Sequence, residues 1–126
     1  MKEIIATDKA PAAIGSYSQA VKAGSFIFVS GQIPLDPKTG AISGETIEEQ
    51  AHRVFKNLSA VLESQGLSLE NAVKTTVFLT DMNDFSAVNE VYKLYFKADC
   101  PARSAVEVGA LPKGAKIECE LIAYID

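Results

Sequence analysis

The hydrophobic positions of this chain follow two different periods, and their order predicts both helices and strands. Apolar residues recur three and four positions apart between Ile47 and Leu62, and again between Phe85 and Phe96, which indicates two amphipathic helices. Alternating and β-branched runs, typical of strands, fall near residues 4–5, 18–24, 26–33, 71–80, 103–108 and 116–124. The pattern therefore predicts an α+β fold with the element order β-β-β-α-β-α-β-β.

Residues that end helices and form turns support these limits. Thr46 followed by Glu49 fits a capping box at the start of the first helix, and Gly66 is suited to end it. Asp81 is predicted to cap the second helix, and Pro101 to close that unit. The tripeptide A-G-S between the second and third runs indicates a hairpin, and D-P-K-T-G indicates a turn.

The last predicted strand carries a different chemistry on each face. Because successive side chains point to opposite sides, one face holds Ile117, Cys119, Leu121, Ala123 and Ile125, and the other holds Glu118, Glu120, Ile122 and Tyr124. Two helices cover only one face of so wide a sheet, and the first set suits that face. A water-washed face has no need of Ile122 and Tyr124, and a dry core does not accept unpaired carboxylates. We therefore expect the second face to form a subunit interface that holds polar pockets.

Composition narrows the classes of protein to which the chain can belong. Its 126 residues, of which 48% are hydrophobic, suit a single domain spanning 1–126. A net charge of −4 without a basic stripe argues against a nucleic-acid partner. No run approaches the roughly 18 apolar residues of a membrane span, and the N-terminus shows neither a signal-peptide nor a transit-peptide pattern. We expect a cytoplasmic protein without a membrane partner.

Cysteine and histidine are too few to suggest a disulfide framework or a metal site. Of the two cysteines, Cys119 lies in an apolar strand pattern and is expected to be a small buried hydrophobe, whereas Cys100 precedes a proline. His52 is the sole histidine and is expected on the surface of a helix, and no Cys/His spacing fits a metal. The aromatic residues of the second helix are expected in the core: Tyr92, Tyr95 and Phe96.

Two charged residues near the C-terminus suggest chemistry. Arg103 is one of only two arginines and lies outside the predicted helices, and its planar guanidinium is suited to bind a carboxylate at two points. Glu118, in the following predicted strand, could orient or deprotonate a water molecule. An anion clamp beside a base indicates a site for a small organic acid. From the residues alone, Arg103 could equally pair with Glu107 or Glu120, and Glu118 could be a solvated strand residue.

Five runs of residues, taken in order, connect the chain with a known family. They are A-P-A-A-I-G-S-Y-S-Q-A, V-S-G-Q-I-P-L-D-P-K-T-G, V-K-T-T-V-F-L-T-D-M-N-D-F-S-A-V-N, P-A-R-S-A-V-E-V and L-P-K-G-A-K-I-E-C-E-L-I-A. In sequence and spacing these runs resemble the reactive intermediate deaminase family (RidA, also called YjgF-like). The resemblance extends over essentially the whole chain.

The resemblance implies a chorismate-mutase-like α+β fold, in which a mixed sheet carries both helices on one face. It also implies a homotrimer with a ligand cleft between neighbouring subunits, and no cofactor. The implied activity is the hydrolysis of short-lived 2-enamine and 2-imine acids, such as 2-aminoacrylate and 2-iminobutyrate, to 2-keto acids and ammonia. Such compounds are released by pyridoxal-phosphate dehydratases.

The family's motifs also imply roles for particular residues. Arg103 resembles the residue that binds the substrate carboxylate, and Glu118 resembles the one that positions the attacking water. Tyr17 resembles a wall of the pocket contributed across the interface. Ser30 and Gly31 match other positions that line the pocket.

Two further positions match the family's pocket. Asn89, in the second predicted helix, matches a lining position. Ala105 stands where many relatives have cysteine, and in those relatives the main-chain N–H at this position helps to hold the carboxylate. No nucleophilic side chain is required, because an imine carbon beside a carboxylate is already electrophilic. Fixing the acid on Arg103 and a water on Glu118 supplies orientation and a base, provided that the two side chains share one hollow.

The sequence leaves other functions open. The same arginine cleft could hold a keto acid in a non-catalytic binding or regulatory protein, although a pure sensor gains little from a carboxylate such as Glu118 facing an anionic ligand. A chaperone-like or ribonuclease role, attributed to some relatives, is disfavoured by the acidic balance of the chain. A serine nucleophile at Ser30 is disfavoured because no base lies near it in the sequence.

Overall fold

One sheet of six strands carries two helices on one side, in the element order that the sequence predicts. This computed structural model describes all of residues 1–126. The strands are β1 (Glu3–Ile5), β2 (Ala20–Ala23), β3 (Phe26–Gln32), β4 (Ala72–Leu79), β5 (Ala102–Glu107) and β6 (Ile117–Tyr124), and the helices are α1 (Ile47–Glu63) and α2 (Phe85–Tyr95). The predicted α+β class is confirmed.

The strand order within the sheet is β1-β2-β3-β6-β4-β5, so β5 forms one edge. All neighbouring strands are antiparallel except β4 and β5, which are parallel. A parallel pair requires a crossover, and α2 is the crossover between these two strands. This connection brings α2 next to the β4–β5 edge.

The core lies between the sheet and the helices. α1 buries a continuous apolar stripe, as its helical periodicity predicts. In β3, β4 and β6 buried positions alternate with more exposed ones, so every second side chain faces the helices. Fully buried members of this core include Phe55, Leu58, Leu62, Ile27, Val77, Leu79, Ile117 and Cys119.

The predicted helix ends are mostly confirmed, with one correction. Thr46 and Glu49 form the predicted capping box, and Gly66 adopts a positive φ of 73° just after α1. The prediction that Asp81 caps α2 is wrong. Asp81 caps the short 3₁₀ turn before α2, where its side chain accepts a hydrogen bond from the N–H of Asn83 at 2.9 Å. α2 begins at Phe85, with Asp84 at its N-cap and no side-chain capping bond.

The face of the sheet opposite the helices, here called the open face, carries exposed apolar side chains. Phe26, Phe28 and Tyr124 are 42%, 45% and 42% exposed, and the Phe26 and Tyr124 rings lie 5.3 Å apart in an edge contact. The predicted division of β6 between a buried and a mixed face is confirmed. Exposed apolar patches are common at the interaction sites of proteins, and the expectation of a subunit interface on this face stays a prediction. None of the helices is both long enough and apolar enough to cross a membrane.

A β-bulge interrupts β3 where it pairs with β6. Val29 lies opposite Leu121, but Gln32 lies opposite Cys119, so β3 has one more residue than β6 between these pairs. Ser30 and Gly31 together lie opposite the single residue Glu120, and they form the bulge. A bulge redirects side chains locally and is common beside functional sites.

Gln19 holds the N-terminal segment against the sheet. Its side-chain Nε2 donates to the carbonyls of Thr7, Ala10 and Pro11 at 2.9, 3.2 and 2.7 Å. Its Oε1 accepts a hydrogen bond from the N–H of Thr7 at 2.6 Å. The side chain is 3% exposed, so a single buried amide fixes the segment that leads to Tyr17.

Gln19→Ala is expected to lower the free energy of unfolding by about 1–3 kcal/mol, because main-chain groups of the segment lose their buried partner. Urea unfolding measures this change, and amide hydrogen exchange in residues 7–17 should become faster. Gln65→Ala is the control, since that exposed amide contacts only Ser64. Equal stability losses in the two variants would contradict the anchoring role of Gln19.

Candidate functional site

Arg103 lies on the edge strand β5, and its side chain is directed toward α2. Its neighbour across the parallel pair is Thr75, which is fully buried beneath the helices, so Arg103 projects to that same side. Because β5 is the outermost strand, the residue stays exposed at the margin of the helix layer. The guanidinium is therefore both supported and accessible.

Three side chains of α2 support the guanidinium. Arg103 Nη1 donates a hydrogen bond to Oδ1 of Asn89 at 2.9 Å. The guanidinium carbon lies 4.7 Å from the ring centroid of Tyr92 and 5.2 Å from that of Phe85, within the range of cation–π attraction. These helix residues are four and three positions apart, so they form one stripe. We call Phe85, Asn89, Tyr92 and Arg103 the guanidinium cluster.

Arg103 has no carboxylate partner within the chain. The two ion pairs of the structure join Lys22 to Glu3 and Lys93 to Glu90. Neither pairing that the sequence left open is formed, since the Glu107 carboxylate accepts the N–H of Met82 at 2.7 Å and Glu120 lies on the open face. A guanidinium has five N–H donors, and its single side-chain bond to Asn89 leaves the others available to an external anion.

Glu118 lies on the open face of β6, beside the bulge in β3. Its neighbours Ile117 and Cys119 are fully buried on the helix side, so its carboxyl points away from the helices. A Cβ atom at Gly31 would collide with a carboxyl oxygen of Glu118 and would lie 2.9 Å from the carboxyl carbon. Glycine at position 31 therefore leaves the space that the Glu118 carboxyl occupies.

The Glu118 carboxyl is half-buried and has no hydrogen-bond or ion-pair partner in the chain. Burial raises its pKa above the ordinary value of 4.5, and the negative charge of Glu120 raises it further. A carboxylate with a raised pKa is a stronger base near neutral pH. Glu118 is thus not the fully solvated strand residue that the sequence left open.

Ser30 adjoins Gly31 in the bulge, and its hydrogen bonds reach the segment that follows Tyr17. The N–H of Ser30 donates to the carbonyl of Gln19 at 2.9 Å, and its Oγ donates to the carbonyl of Ser18 at 2.6 Å. The hydroxyl is therefore engaged as a donor, which gives no support to a serine nucleophile. Tyr17 precedes Ser18 and is exposed, with its Oη accepting the N–H of Ile14 at 3.3 Å. We call Ser30, Gly31 and Glu118 the carboxyl cluster; Tyr17 forms no hydrogen bond with any of them.

The two clusters lie on opposite faces of the sheet. β4 separates β5 from β6, and it pairs Thr75 with Arg103 on the helix side but Phe78 with Glu118 on the open side. A single chain therefore does not form the shared hollow that the sequence-based hypothesis requires. Ala105 belongs to the arginine side, because it pairs with Val77 and packs partly against the core.

Two surface hollows lie away from both charged groups. One of about 690 Å³ lies between the C-terminal ends of α1 and α2 and is lined by Ser59, Leu69 and Lys97 among others. Another of about 530 Å³ lies along the N-terminal segment and includes Tyr17 and Gln19. Since neither contains Arg103 or Glu118, the candidate site is defined by its charged groups and not by cavity size.

Several neighbouring residues differ from their sequence-based descriptions. His52 is not a free surface residue, because its Nδ1 lies 2.7 Å from Oη of Tyr95 in a half-buried contact between the helices. Tyr92 is a core residue as predicted, but its ring also contacts the guanidinium of Arg103, which periodicity did not indicate.

The two cysteines are free thiols. Cys119 is fully buried, which raises the pKa of its thiol, and Cys100 is exposed. No group of three or more His, Cys, Asp or Glu side chains is arranged to hold a metal ion.

Known proteins similar to this chain cover nearly all of it. The family model described as Endoribonuclease L-PSP matches residues 7–125. A RutC family protein of Pyrococcus horikoshii is 56% identical over 124 residues, which are 98% of each chain. The rat 2-iminobutanoate/2-iminopropanoate deaminase is 51% identical over 123 residues, covering 98% of this chain and 90% of the rat protein. The crystal structure of E. coli TdcF with bound serine superposes with a TM-score of 0.94 at 46% identity, over 98% of this chain and 99% of that one.

Glu118→Gln is expected to raise the free energy of unfolding at neutral pH. The pKa of Glu118 is raised in the folded state, so the folded state binds the proton more tightly than the unfolded state and ionisation is destabilising above that pKa. The advantage of glutamine should shrink as the pH falls through the raised pKa toward the ordinary value of 4.5. Urea unfolding at a series of pH values and one protein concentration measures the difference.

The control for this pH series is Asp8→Asn, which changes an exposed carboxylate outside the helices. We expect its stability to follow that of the wild type at every pH. If Glu118→Gln and the wild type were equally stable from neutral pH down to pH about 4, the carboxyl would not be desolvated in solution.

Proposed function

We propose that this chain, which belongs to the RidA/YjgF family described as Endoribonuclease L-PSP, hydrolyses 2-imine and 2-enamine acids to 2-keto acids and ammonia. One observation carries the proposal: a guanidinium without a carboxylate partner and a half-buried carboxyl that accepts no hydrogen bond occur in the same small chain. The rat relative is named for imine deamination, and E. coli TdcF binds serine, an acid with an α-carboxylate. Both facts agree with a site for a small 2-substituted acid.

In this proposal Arg103 binds the carboxylate of the substrate. Its free N–H donors suit two parallel hydrogen bonds to the two carboxylate oxygens. The rings of Phe85 and Tyr92 stabilise the cation but leave its charge in place, whereas a carboxylate partner would neutralise it. The main-chain N–H of Ala105, two residues along the same strand, is the additional donor for this anion.

The reaction adds water across the C=N bond. An enamine such as 2-aminoacrylate first gains a proton from solvent at its terminal carbon and becomes the protonated imine. Glu118 accepts a proton from water while the water oxygen bonds to the imine carbon, which produces a neutral carbinolamine. Glu118 then returns that proton to the amine nitrogen, the carbon–nitrogen bond breaks as the hydroxyl loses its proton to solvent, and ammonia and the 2-keto acid leave. A base held within hydrogen-bond reach contributes roughly 10²–10⁴-fold to such a step.

We further propose that the site is completed by a second copy of the chain, in a homotrimer with one site between each pair of neighbours. Arg103 and Glu118 face opposite sides of one sheet, so chemistry that uses both requires another subunit. The exposed aromatic residues of the open face suit burial in such a contact. Light scattering of the purified protein measures the number of subunits.

The alternative is a non-catalytic protein that binds keto acids or related carboxylates. Glu118 argues against it, because an ionised carboxylate that faces an anionic ligand repels it, and a protein that only binds the ligand gains nothing from that group. The family description suggests a ribonuclease function. The net charge of −4 and the lack of a basic stripe in the sequence argue against RNA binding by this chain. RNA binding that persists at moderate salt would favour that function.

Arg103→Ala is expected to abolish turnover and to leave the fold intact, because it removes a charge-assisted contact worth about 2–5 kcal/mol. Arg103→Lys should be intermediate, since it keeps the charge and loses the planar fork. The measurement is 2-keto acid release from an imine that a dehydratase generates in the same cuvette. Arg53→Lys, at the only other arginine, is the control and should deaminate normally. Normal turnover by Arg103→Ala would place the anion clamp elsewhere.

Mixed oligomers test whether the two clusters meet between subunits. Arg103→Ala and Glu118→Gln should each be nearly inactive, and Glu118→Gln should lose kcat more than substrate affinity. When the two variants are unfolded and refolded together in equal amounts, about one quarter of the sites should combine an intact arginine with an intact carboxyl. Mixed oligomers that form, as shown by mass spectrometry, and yet have no activity would refute a site shared between subunits.

A further inference from the structure

Thr75 and Tyr92 form a buried hydrogen bond beside Arg103, and we propose that this bond positions the guanidinium for carboxylate binding. Thr75 Oγ1 and Tyr92 Oη lie 2.8 Å apart, and the two residues are 0% and 5% exposed. The inference rests on the proposed anion-binding function of Arg103. It adds two positioning residues that act through the guanidinium and do not touch the substrate.

Thr75 is an unusual residue for its place in the sheet. The other helix-facing residues of β4 include Val77 and Leu79, which are apolar and buried. Valine has nearly the same shape as threonine and would bring no hydroxyl that needs a partner in the core. The Thr75 hydroxyl finds its partner in Tyr92, and Thr75 is the residue directly opposite Arg103 in the parallel pair. The hydroxyl thus lies where it can fix a ring beside the guanidinium.

The Tyr92 ring is held by contacts on several sides. It stacks on Phe96 with centroids 4.3 Å apart, and it meets the edge of Phe55 with centroids 5.5 Å apart. These aromatic contacts limit its tilt, whereas the hydrogen bond to Thr75 fixes the position of its hydroxyl end. Burial raises the pKa of Tyr92, so the ring that faces the cation is a neutral phenol.

A fixed ring determines the plane and reach of the guanidinium. Asn89 holds one nitrogen of Arg103, and Tyr92 holds the guanidinium carbon at 4.7 Å from its centroid. Arginine loses side-chain freedom when it binds an anion, and a guanidinium that is already held loses less. We therefore expect the Thr75–Tyr92 bond to strengthen carboxylate binding.

The test uses the side-chain Nε–H signals of arginine in nuclear magnetic resonance spectra. The chain has only two arginines, and the reference is Arg53, whose Nε donates to Asn57 at 3.1 Å. Ring currents of Phe85 and Tyr92 should shift the Nε–H signal of Arg103 away from that of an arginine without aromatic neighbours. In Thr75→Val and Tyr92→Phe this displacement should decrease, and the affinity for unreactive 2-oxobutyrate should fall roughly three- to tenfold.

Two controls separate positioning from stability. Tyr95→Phe removes a phenol hydroxyl of the same helix, whose partner is His52, and should keep the Arg103 signal and the affinity of the wild type. The double variant Thr75→Val/Tyr92→Phe leaves no buried hydroxyl unpaired, so its stability should recover relative to the single variants. Its Arg103 signal and its affinity should stay altered. A double variant with wild-type signal and affinity would overturn the proposal, because the bond would then serve stability alone.

Failure of the deaminase proposal would give a different result. If the wild type binds 2-oxobutyrate with a change in the Arg103 signal but accelerates no imine hydrolysis, the deaminase function is wrong and the positioning role stands. If the wild type deaminates, while Thr75→Val and Tyr92→Phe change neither signal nor affinity, the positioning role is wrong and the deaminase function stands.

Discussion

The two-residue period of the β-sheet is the constraint on which the site depends. It sends Glu118 to the open face and Arg103, two strands away, to the side of the helices. No rotamer brings the two charged groups together across a packed sheet. The alternation that builds the hydrophobic core therefore also separates the candidate site into two halves. Each half has its own residues that hold the charged group in place.

Each half contains a charged group that the chain itself does not neutralise. Arg103 receives an amide oxygen and two ring faces, and Glu118 receives the space above Gly31. The half-buried Glu118 lowers the stability of the fold when it ionises, and departures of this kind from a fully satisfied structure are typical of functional sites. The supporting side chains are rigid and mostly uncharged, so they orient these charges without cancelling them.

Local pattern in the sequence was sufficient for the element order, the capping box of Thr46 and the two faces of β6. It was not sufficient for the relation between Arg103 and Glu118, because strand order and the parallel pairing of β5 arise from packing between distant segments. Asp81 was misassigned because an aspartate caps a 3₁₀ turn and an α-helix by the same bond. The role of Tyr92 was missed because periodicity identifies a core aromatic residue but not the cation beside it.

The bulge in β3 makes the length of that strand as important as its composition. If β3 kept its length but had no bulge, pairing with β6 would continue in step, Gln32 would lie opposite Glu118 instead of Cys119, and the side chains that follow Val29 would exchange faces. Gln32, now 5% exposed, would turn outward, and the space above Gly31 would no longer meet the Glu118 carboxyl. The register between residues 29 and 32 therefore supports half of the site as much as its side chains do, and we expect a one-residue insertion or deletion there to be more damaging than one in the turn at residues 36–40.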